Sequence, residues 1–83
     1  MKKAVALRYD TDKENAPRVV AKGQGNTAQN IIKIAELHNL PIKKDEDLVE
    51  LLSKVELDRQ VPEALYKAVA EVFSFIYKIS KKS

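Results

Sequence analysis

The sequence predicts a small α/β (α+β) domain, in which a mixed sheet of about three strands is packed against helices in the order β-β-α-β-α-α. Two patterns lead to this prediction. Near the start, apolar side chains alternate with others, as in a strand. From about residue 28 onwards they recur at spacings of three and four, as in amphipathic helices. The 83 residues suit one domain with one core, which we expect to span residues 4–78.

The first two strands are predicted on either side of a polar loop. Val5, Leu7 and Tyr9 share one face of a strand over residues 4–9. The segment DTDKENAP then provides turn-forming residues, and RVVAK continues as a second strand over residues 18–22. A connection of about eight residues permits an antiparallel hairpin.

A helix and a third strand are predicted next. Asn26 or Thr27 is a suitable cap for a helix that ends near Asn39. Pro41 blocks its continuation, and Ile42 in LPIKK predicts a short strand. A strand, a helix and a strand in so few residues predict a right-handed crossover with two parallel strands.

Two further helices complete the predicted order. Asp45 or Asp47 begins the helix EDLVELLSKV, with acidic residues in the first turn where the helix dipole favours them. After the polar connector ELDRQ, Pro62 opens the longest helix from a favoured first-turn position. The predicted core stripe of that helix comprises Leu65, Val69, Val72, Phe73, Ile76 and Ile79.

Composition argues against an enzyme and against a bound cofactor. There is no cysteine for a disulfide or a thiolate metal site, and His38 is the only histidine, near the end of a predicted helix. The apolar run in MKKAVALRYD is too short for a signal peptide, and no segment approaches the roughly 20 apolar residues of a membrane span. We therefore expect a cytoplasmic, non-catalytic protein.

The glycine-containing turn between the second strand and the first helix has two interpretations. Gly23, Gly25 and Ala28 fit the spacing of dinucleotide-binding turns, so residues 23–27 are a candidate anion- or nucleotide-binding corner. The alternative is a simple chain reversal, which the short chain favours. A nucleotide module would show saturable binding on titration.

The net charge of +3 leaves nucleic-acid binding as a third class. Lysines lie at both ends of the chain, but they form no dense basic stripe with exposed aromatic residues. A nucleic-acid-binding protein would show steeply salt-dependent retention on DNA or RNA. We expect no nucleic-acid partner.

The chain order of four blocks resembles a known family. AVALRYD, APRVVAKGQGNTAQNI, NLPIKKDEDLVELL and VPEALYKAVAEVFSFIY are together similar to the cytoplasmic C-terminal domain of the flagellar export protein FlhB and its type III secretion relatives. In that family, the domain cleaves itself within an Asn-Pro-Thr-His motif just before the AVAL strand. The resemblance links this cleavage to the switch from rod and hook to filament substrates.

The resemblance also predicts where this chain departs from the family. Met1 and Lys2 stand at the threonine and histidine positions of the motif, and its asparagine and proline have no counterpart, so we expect no self-cleavage. In the family, the segment before the cleavage site supplies another strand. Without that strand, we expect an open sheet edge that pairs with a partner.

The resemblance implies a stand-alone binding component of the export gate. Its expected partners are the FlhB N-terminal portion, export substrates or other gate components, and it would meet the membrane only through them. The expected location is the cytoplasm, at the cytoplasmic face of the gate. The candidate partner-binding residues are Val5, Leu7 and Tyr9 on the first strand, with Pro17, Arg18, Lys22, Gly23 and Gly25 on the surface that follows.

Overall fold

The computed structural model describes residues 2–10 and 12–80, with side chains described as far as residue 75. Two strands and three α-helices follow one another along the chain, and a single 3₁₀ turn at Glu63–Leu65 precedes the last helix. The elements are β1 (Lys3–Arg8), β2 (Arg18–Gln24), α1 (Asn26–Leu37), α2 (Glu46–Leu52) and α3 (Tyr66–Ser80). The predicted α+β class is therefore confirmed.

The two strands form the antiparallel hairpin that the loop length permits. Ala4 pairs with Gly23 and Leu7 pairs with Val19, and the register shifts between these pairs because β2 contains one extra residue, Val20. Such a bulge increases the local twist of the sheet. The second strand extends through Gly23, so this glycine lies within the ladder and not in the turn.

The predicted third strand is wrong. Ile42 lies in an irregular segment and is 38% exposed, and the sheet of the described residues has the order β1-β2 alone. Pro41 has no backbone N–H to donate to a ladder, and Ile42 is followed at once by two lysines, so the run has little apolar surface to bury. The parallel crossover is therefore absent as well.

The core lies between one face of the sheet and helices α2 and α3. Its buried residues come from β2, α2, α3 and the segments that follow α2: Val19, Leu48, Leu52, Val55, Val61 and Val69. Val5 and Leu7 pack against this cluster from β1, and Leu65, Val72 and Phe73 pack against it as the sequence predicts. The predicted core side chains of Ile76 and Ile79 lie outside the described side chains.

Helix α1 covers the other face of the sheet. It contacts both strands, and its fully buried Ala28 does not belong to the main core cluster. Because side chains alternate along a strand, Ala4 faces away from Val5, towards α1, and it is 8% exposed. Both faces of the small sheet are therefore covered by helices.

The helix starts differ from one another in how they are capped. The side chain of Asp45 accepts a hydrogen bond of 3.0 Å from the Leu48 N–H, so of the two predicted starts of α2, Asp45 is the N-cap and Asp47 lies inside the helix. At α1 the predicted cap is wrong: Gly25 is the N-cap, without a side-chain hydrogen bond, and Asn26 and Thr27 lie inside the helix. The sharp turn at Gly25 determines this boundary.

The end of α1 is closed by its own backbone. The Asn39 N–H bonds to the Glu36 carbonyl at 3.1 Å and the Leu40 N–H bonds to the Ala35 carbonyl at 2.8 Å. Asn39 has a positive φ of 58°, which asparagine tolerates better than most residues. The helix therefore stops before Pro41 is reached.

Candidate functional site

The outer edge of β1 is open. Residues 2–10 and 12–80 contain no backbone group that pairs with the side of β1 facing away from β2. We call the outward backbone groups of Lys3, Val5 and Leu7 the open edge. Unpaired N–H and C=O groups in a row are a template for another strand.

Three hydrogen bonds establish which residues face outward. The Gly25 N–H donates to the Lys2 carbonyl at 2.8 Å, so Lys2 directs its carbonyl towards the β2 side. The Val19 N–H bonds to Arg59 and the Val19 carbonyl accepts from Asp58, so both groups point away from β1. Leu7, the register partner of Val19, therefore also directs its backbone groups away from the hairpin. Since the direction alternates along an antiparallel strand, Lys3, Val5 and Leu7 present their backbone groups to the outside.

The corresponding edge of β2 is covered over residues 17–19 by residues 58–61, and we call this region the covered edge. The Val19 N–H donates to the Arg59 carbonyl at 3.0 Å, the Asp58 N–H donates to the Val19 carbonyl at 2.8 Å, and the Val61 N–H donates to the Pro17 carbonyl at 2.8 Å. The polar connector ELDRQ thus takes the place of a third strand.

Arg18 strengthens the covered edge with its side chain. Its guanidinium donates to the Asp58 carbonyl and, at 2.8 Å, to a carboxylate oxygen of Glu14. Glu14 also accepts from Arg8 at 3.4 Å, and its side chain is only 9% exposed. The hydrogen bond from Arg18 lowers the pKa of Glu14, against a smaller opposing effect of burial, and the charges of the two arginines lower it further.

A shallow apolar groove of about 510 Å³ begins beside the end of β1. Tyr9, a candidate from the sequence, forms one wall, and its ring meets Phe73 edge to face with centroids 5.6 Å apart. Pro17, another candidate, lines the groove and is itself buried. The remaining lining residues are Asn15, Ala16, Tyr66, Val69, Ala70 and Ser74.

Lys22 is directed at the end of α2. Its ammonium donates to the carbonyls of Ser53 at 3.1 Å and Val55 at 2.8 Å. A cation at this position satisfies carbonyls that the helix leaves unpaired. The structure therefore gives Lys22 a role within the fold, beside the partner-binding role that the sequence predicts.

The glycine corner is built for close packing. A Cβ on Gly23 would overlap the side chain of Thr27, and Gly25 has φ 60° and ψ −127°, a conformation that L side chains rarely adopt. The Gly25 N–H is already bonded to Lys2. These contacts favour the interpretation as a chain reversal over the nucleotide-binding one.

Sequence reasoning missed one contact of β1. The Lys3 ammonium lies 2.6 Å from a carboxylate oxygen of Glu50 in α2. This hydrogen bond, together with the charge of Lys3, lowers the pKa of Glu50. The two residues are 47 positions apart, so no local spacing could have indicated the pair.

Sites of other kinds find no support in the described part of the chain. No group of three or more His, Asp or Glu side chains there could hold a metal ion, and His38 is exposed. No helix within that part has the length and apolar content for crossing a bilayer. The open edge, with the groove beside it, is therefore the candidate site.

Sequence comparisons connect the chain with known proteins. The model of the family described as "FlhB HrpN YscU SpaS Family" matches residues 1–76. The chain is 54% identical over 81 residues to the protein YlqH of Bacillus subtilis (strain 168), covering 98% of this chain and 87% of YlqH. It is 40% identical over 80 residues to the flagellar biosynthetic protein FlhB of Aquifex aeolicus (strain VF5), covering 95% of this chain but 23% of FlhB.

Solved structures with the same fold are similar over most of this chain. The cytoplasmic domain of FlhB from Shewanella putrefaciens matches with a TM-score of 0.90 and 32% identity, covering 95% of this chain and 65% of that domain. The PscU C-terminal domain matches with a TM-score of 0.84 and 27% identity, covering 89% of this chain and 95% of that domain.

Proposed function

This chain belongs to the FlhB HrpN YscU SpaS family, and on that basis we propose that it is a binding component of flagellar or type III protein export. Its open edge pairs with a strand supplied by a protein of the export gate. It takes part in the selection of export substrates without cutting a peptide bond. Its place is the cytoplasmic face of the gate, where its partners hold it.

One observation carries this proposal: helices cover both faces of the sheet and residues 58–61 cover β2 at residues 17–19, whereas the open edge has no backbone partner among the described residues. A strand added there gains main-chain hydrogen bonds, and side-chain pockets add specificity. Val5 and Leu7 already pack on the core. The edge is therefore held in place before a partner binds, which lowers the cost of ordering it.

The FlhB N-terminal portion is the partner that the comparisons support best. This chain spans 23% of the Aquifex aeolicus FlhB and 65% of the Shewanella putrefaciens FlhB cytoplasmic domain. About a third of that domain has no counterpart in the matched region. We propose that a strand from this remaining part occupies the open edge.

The apolar groove supports a second contact with the same partner or with another gate component. Tyr9 and Phe73 form a wall that is stiffened by their edge-to-face contact, and Tyr66 is 42% exposed at the same groove. Exposed aromatic side chains around a concave surface suit an apolar segment of a protein. Export substrates are candidates for this position.

The test is capture of this chain by an FlhB that lacks the matching C-terminal region. We expect the two proteins to copurify after coexpression. Val5→Pro removes an outward N–H and leaves the bonds between β1 and β2, so it should abolish capture while the protein stays folded by circular dichroism.

A matched control distinguishes binding at the open edge from non-specific hydrophobic association. Leu57 is 53% exposed on the loop that precedes the covered edge. Leu57→Asn should leave capture unchanged. Capture that survives Val5→Pro, or no capture with both proteins folded, would contradict the proposed function.

A further inference from the structure

The open edge carries positive charge at both ends and none between them. Lys2 and Lys3 lie at its start, Arg8 lies at its end, and the residues from Ala4 to Leu7 are uncharged. No acidic residue belongs to β1. The edge therefore presents a short apolar stretch between two cationic ends.

Only part of this charge is neutralised within the described residues. Lys3 is paired with Glu50, and Arg8 shares Glu14 with Arg18 while its own side chain stays 62% exposed. Lys2 is exposed and belongs to no ion pair of the described residues. A cation at each end is thus available to an incoming strand.

The start of the edge is the more basic end. Lys22 lies on β2 beside the middle of β1, since its register partner is Val5, and it lines, together with Lys3, a pocket of about 280 Å³. Its ammonium is bonded to two neutral carbonyls and to no carboxylate of the described residues. An anionic group of a partner strand would meet the ammonium groups of Lys2 and Lys3 at this end.

The same charges oppose pairing between two copies of the chain. Because Lys3, Val5 and Leu7 face outward, the antiparallel self-pairing that uses all three places Val5 opposite Val5 and Lys3 opposite Leu7. That register sets Lys2 opposite Arg8, once at each end. Like charges directly opposite one another destabilise a strand pair.

We propose that Lys2, Lys3 and Arg8 select the partner of the open edge. They favour an extended protein segment with a short apolar centre and a carboxylate at each end, and they disfavour a second copy of this chain. This inference rests on the proposed function and names the chemistry of its partner. Charge at strand ends gives specificity because the correct pair is attracted and the wrong pair is repelled.

The self-pairing arm of the test needs no partner. Lys2→Glu turns both like-charge contacts of the self-paired register into attractive ones, so this variant should dimerise at least about tenfold more tightly than the unmodified chain in low salt. The double variant Lys2→Glu/Arg8→Glu restores repulsion and should return to the monomer. Analytical ultracentrifugation of the full chain measures both.

Lys67→Glu is the control, because it makes the same change of net charge on an exposed position of α3. It should leave the oligomeric state unchanged. Equal dimerisation of the Lys2→Glu and Lys67→Glu variants, or dimers that persist in the double variant, would overturn the inference.

The partner arm uses designed seven-residue peptides with a Val/Thr centre and either Asp or Asn at both ends, acetylated and amidated so that side chains supply the only charges. NMR titration of the labelled full chain should show about fivefold to tenfold tighter binding of the Asp peptide in low salt, and the preference should vanish at 1 M salt. A third peptide, with Asn ends and a free C-terminal carboxylate, tests whether a chain terminus replaces the side chains.

Reversing the charge at the start of the edge, while Arg8 stays positive at the other end, should abolish this preference. Lys2→Glu combined with the exchange Lys3→Glu/Glu50→Lys reverses the charge at the start while keeping an ion pair to α2. Equal affinity of the unmodified chain for the Asp and Asn peptides, or an unchanged preference in this variant, would overturn the inference. Loss of capture by FlhB would instead overturn the proposed function, and the self-pairing arm would still decide the inference.

Discussion

The two edges of the sheet differ in how many backbone hydrogen bonds they receive from the rest of the chain. The covered edge receives three backbone hydrogen bonds from residues 58–61, and Arg18 adds a side-chain bond to the Asp58 carbonyl. The open edge receives none from the described residues. The connector covers β2 only where it begins, at residues 17–19, whereas β1 has no outer partner along its whole length among the described residues, which makes β1 the longer template for another strand.

The largest expected difference between the edges is in their response to proline. Val19→Pro removes the N–H that bonds to Arg59 and distorts a fully buried position, so we expect the free energy of unfolding to fall by at least about 1–3 kcal/mol. Val5→Pro removes an N–H without a partner and should cost clearly less. Urea denaturation measures both, and equal losses would contradict the assignment of the two edges.

Gly25, at the corner that joins β2 to α1, provides a second test of how the hairpin contributes to stability. Gly25→Ala forces an L residue to φ 60°, and we expect a loss of about 1–3 kcal/mol. No atom lies within 4 Å of the added Cβ, so backbone strain alone is responsible. A chemically synthesised chain with D-alanine at this position should recover most of the loss; if it does not, the strain argument fails.

The partner-binding role predicted for Lys22 can be separated from its role in the fold. Lys22→Met keeps the length of the side chain but removes the bonds to Ser53 and Val55, and a loss of about 1 kcal/mol is expected. If Lys22 only stabilises the end of α2, capture by FlhB at a temperature well below unfolding should stay unchanged. Weaker capture by the folded variant would support the predicted partner contact.

The smallest expected effect is that of pH on the two ion-paired glutamates. Both pKa values are lowered from the ordinary value of 4.5, so both groups stabilise the folded protein above that pH, and this contribution is lost as the pH falls through their lowered pKa values. Thermal unfolding of a Glu14→Gln/Glu50→Gln variant should therefore depend less on pH below 4.5 than that of the unmodified chain. Identical acid-side slopes would show that the ion pairs contribute nothing measurable.

The elements with strong local signals were predictable from the sequence. The alternation of Val5, Leu7 and Tyr9 indicated β1, and Asp45 capped α2 as expected because its side chain needs only a partner three residues away. The family resemblance predicted an open edge. These features depend on short spacings or on a pattern that spans the whole chain.

The features that the sequence did not predict are long-range. Residues 58–61 cover the edge of β2 through backbone groups, which carry no side-chain signal, and Asp58 reaches this position with a φ of 65°. The wrong third strand at Ile42 has a local cause instead, since Pro41 cannot donate to a ladder and the two lysines after Ile42 leave little apolar surface to bury. Lys3 and Glu50 meet only after the fold has formed.

The most direct test of the open edge is amide hydrogen exchange along β1, measured residue by residue by NMR. In the free protein, the N–H groups of Lys3, Val5 and Leu7 should exchange fast, while those of Ala4, Ala6 and Arg8, which face β2, should be protected. On binding the FlhB N-terminal portion, Val5 and Leu7 should become protected as well. Uniform protection along β1 in the free protein, or no gain at Val5 and Leu7 in the complex, would contradict the account.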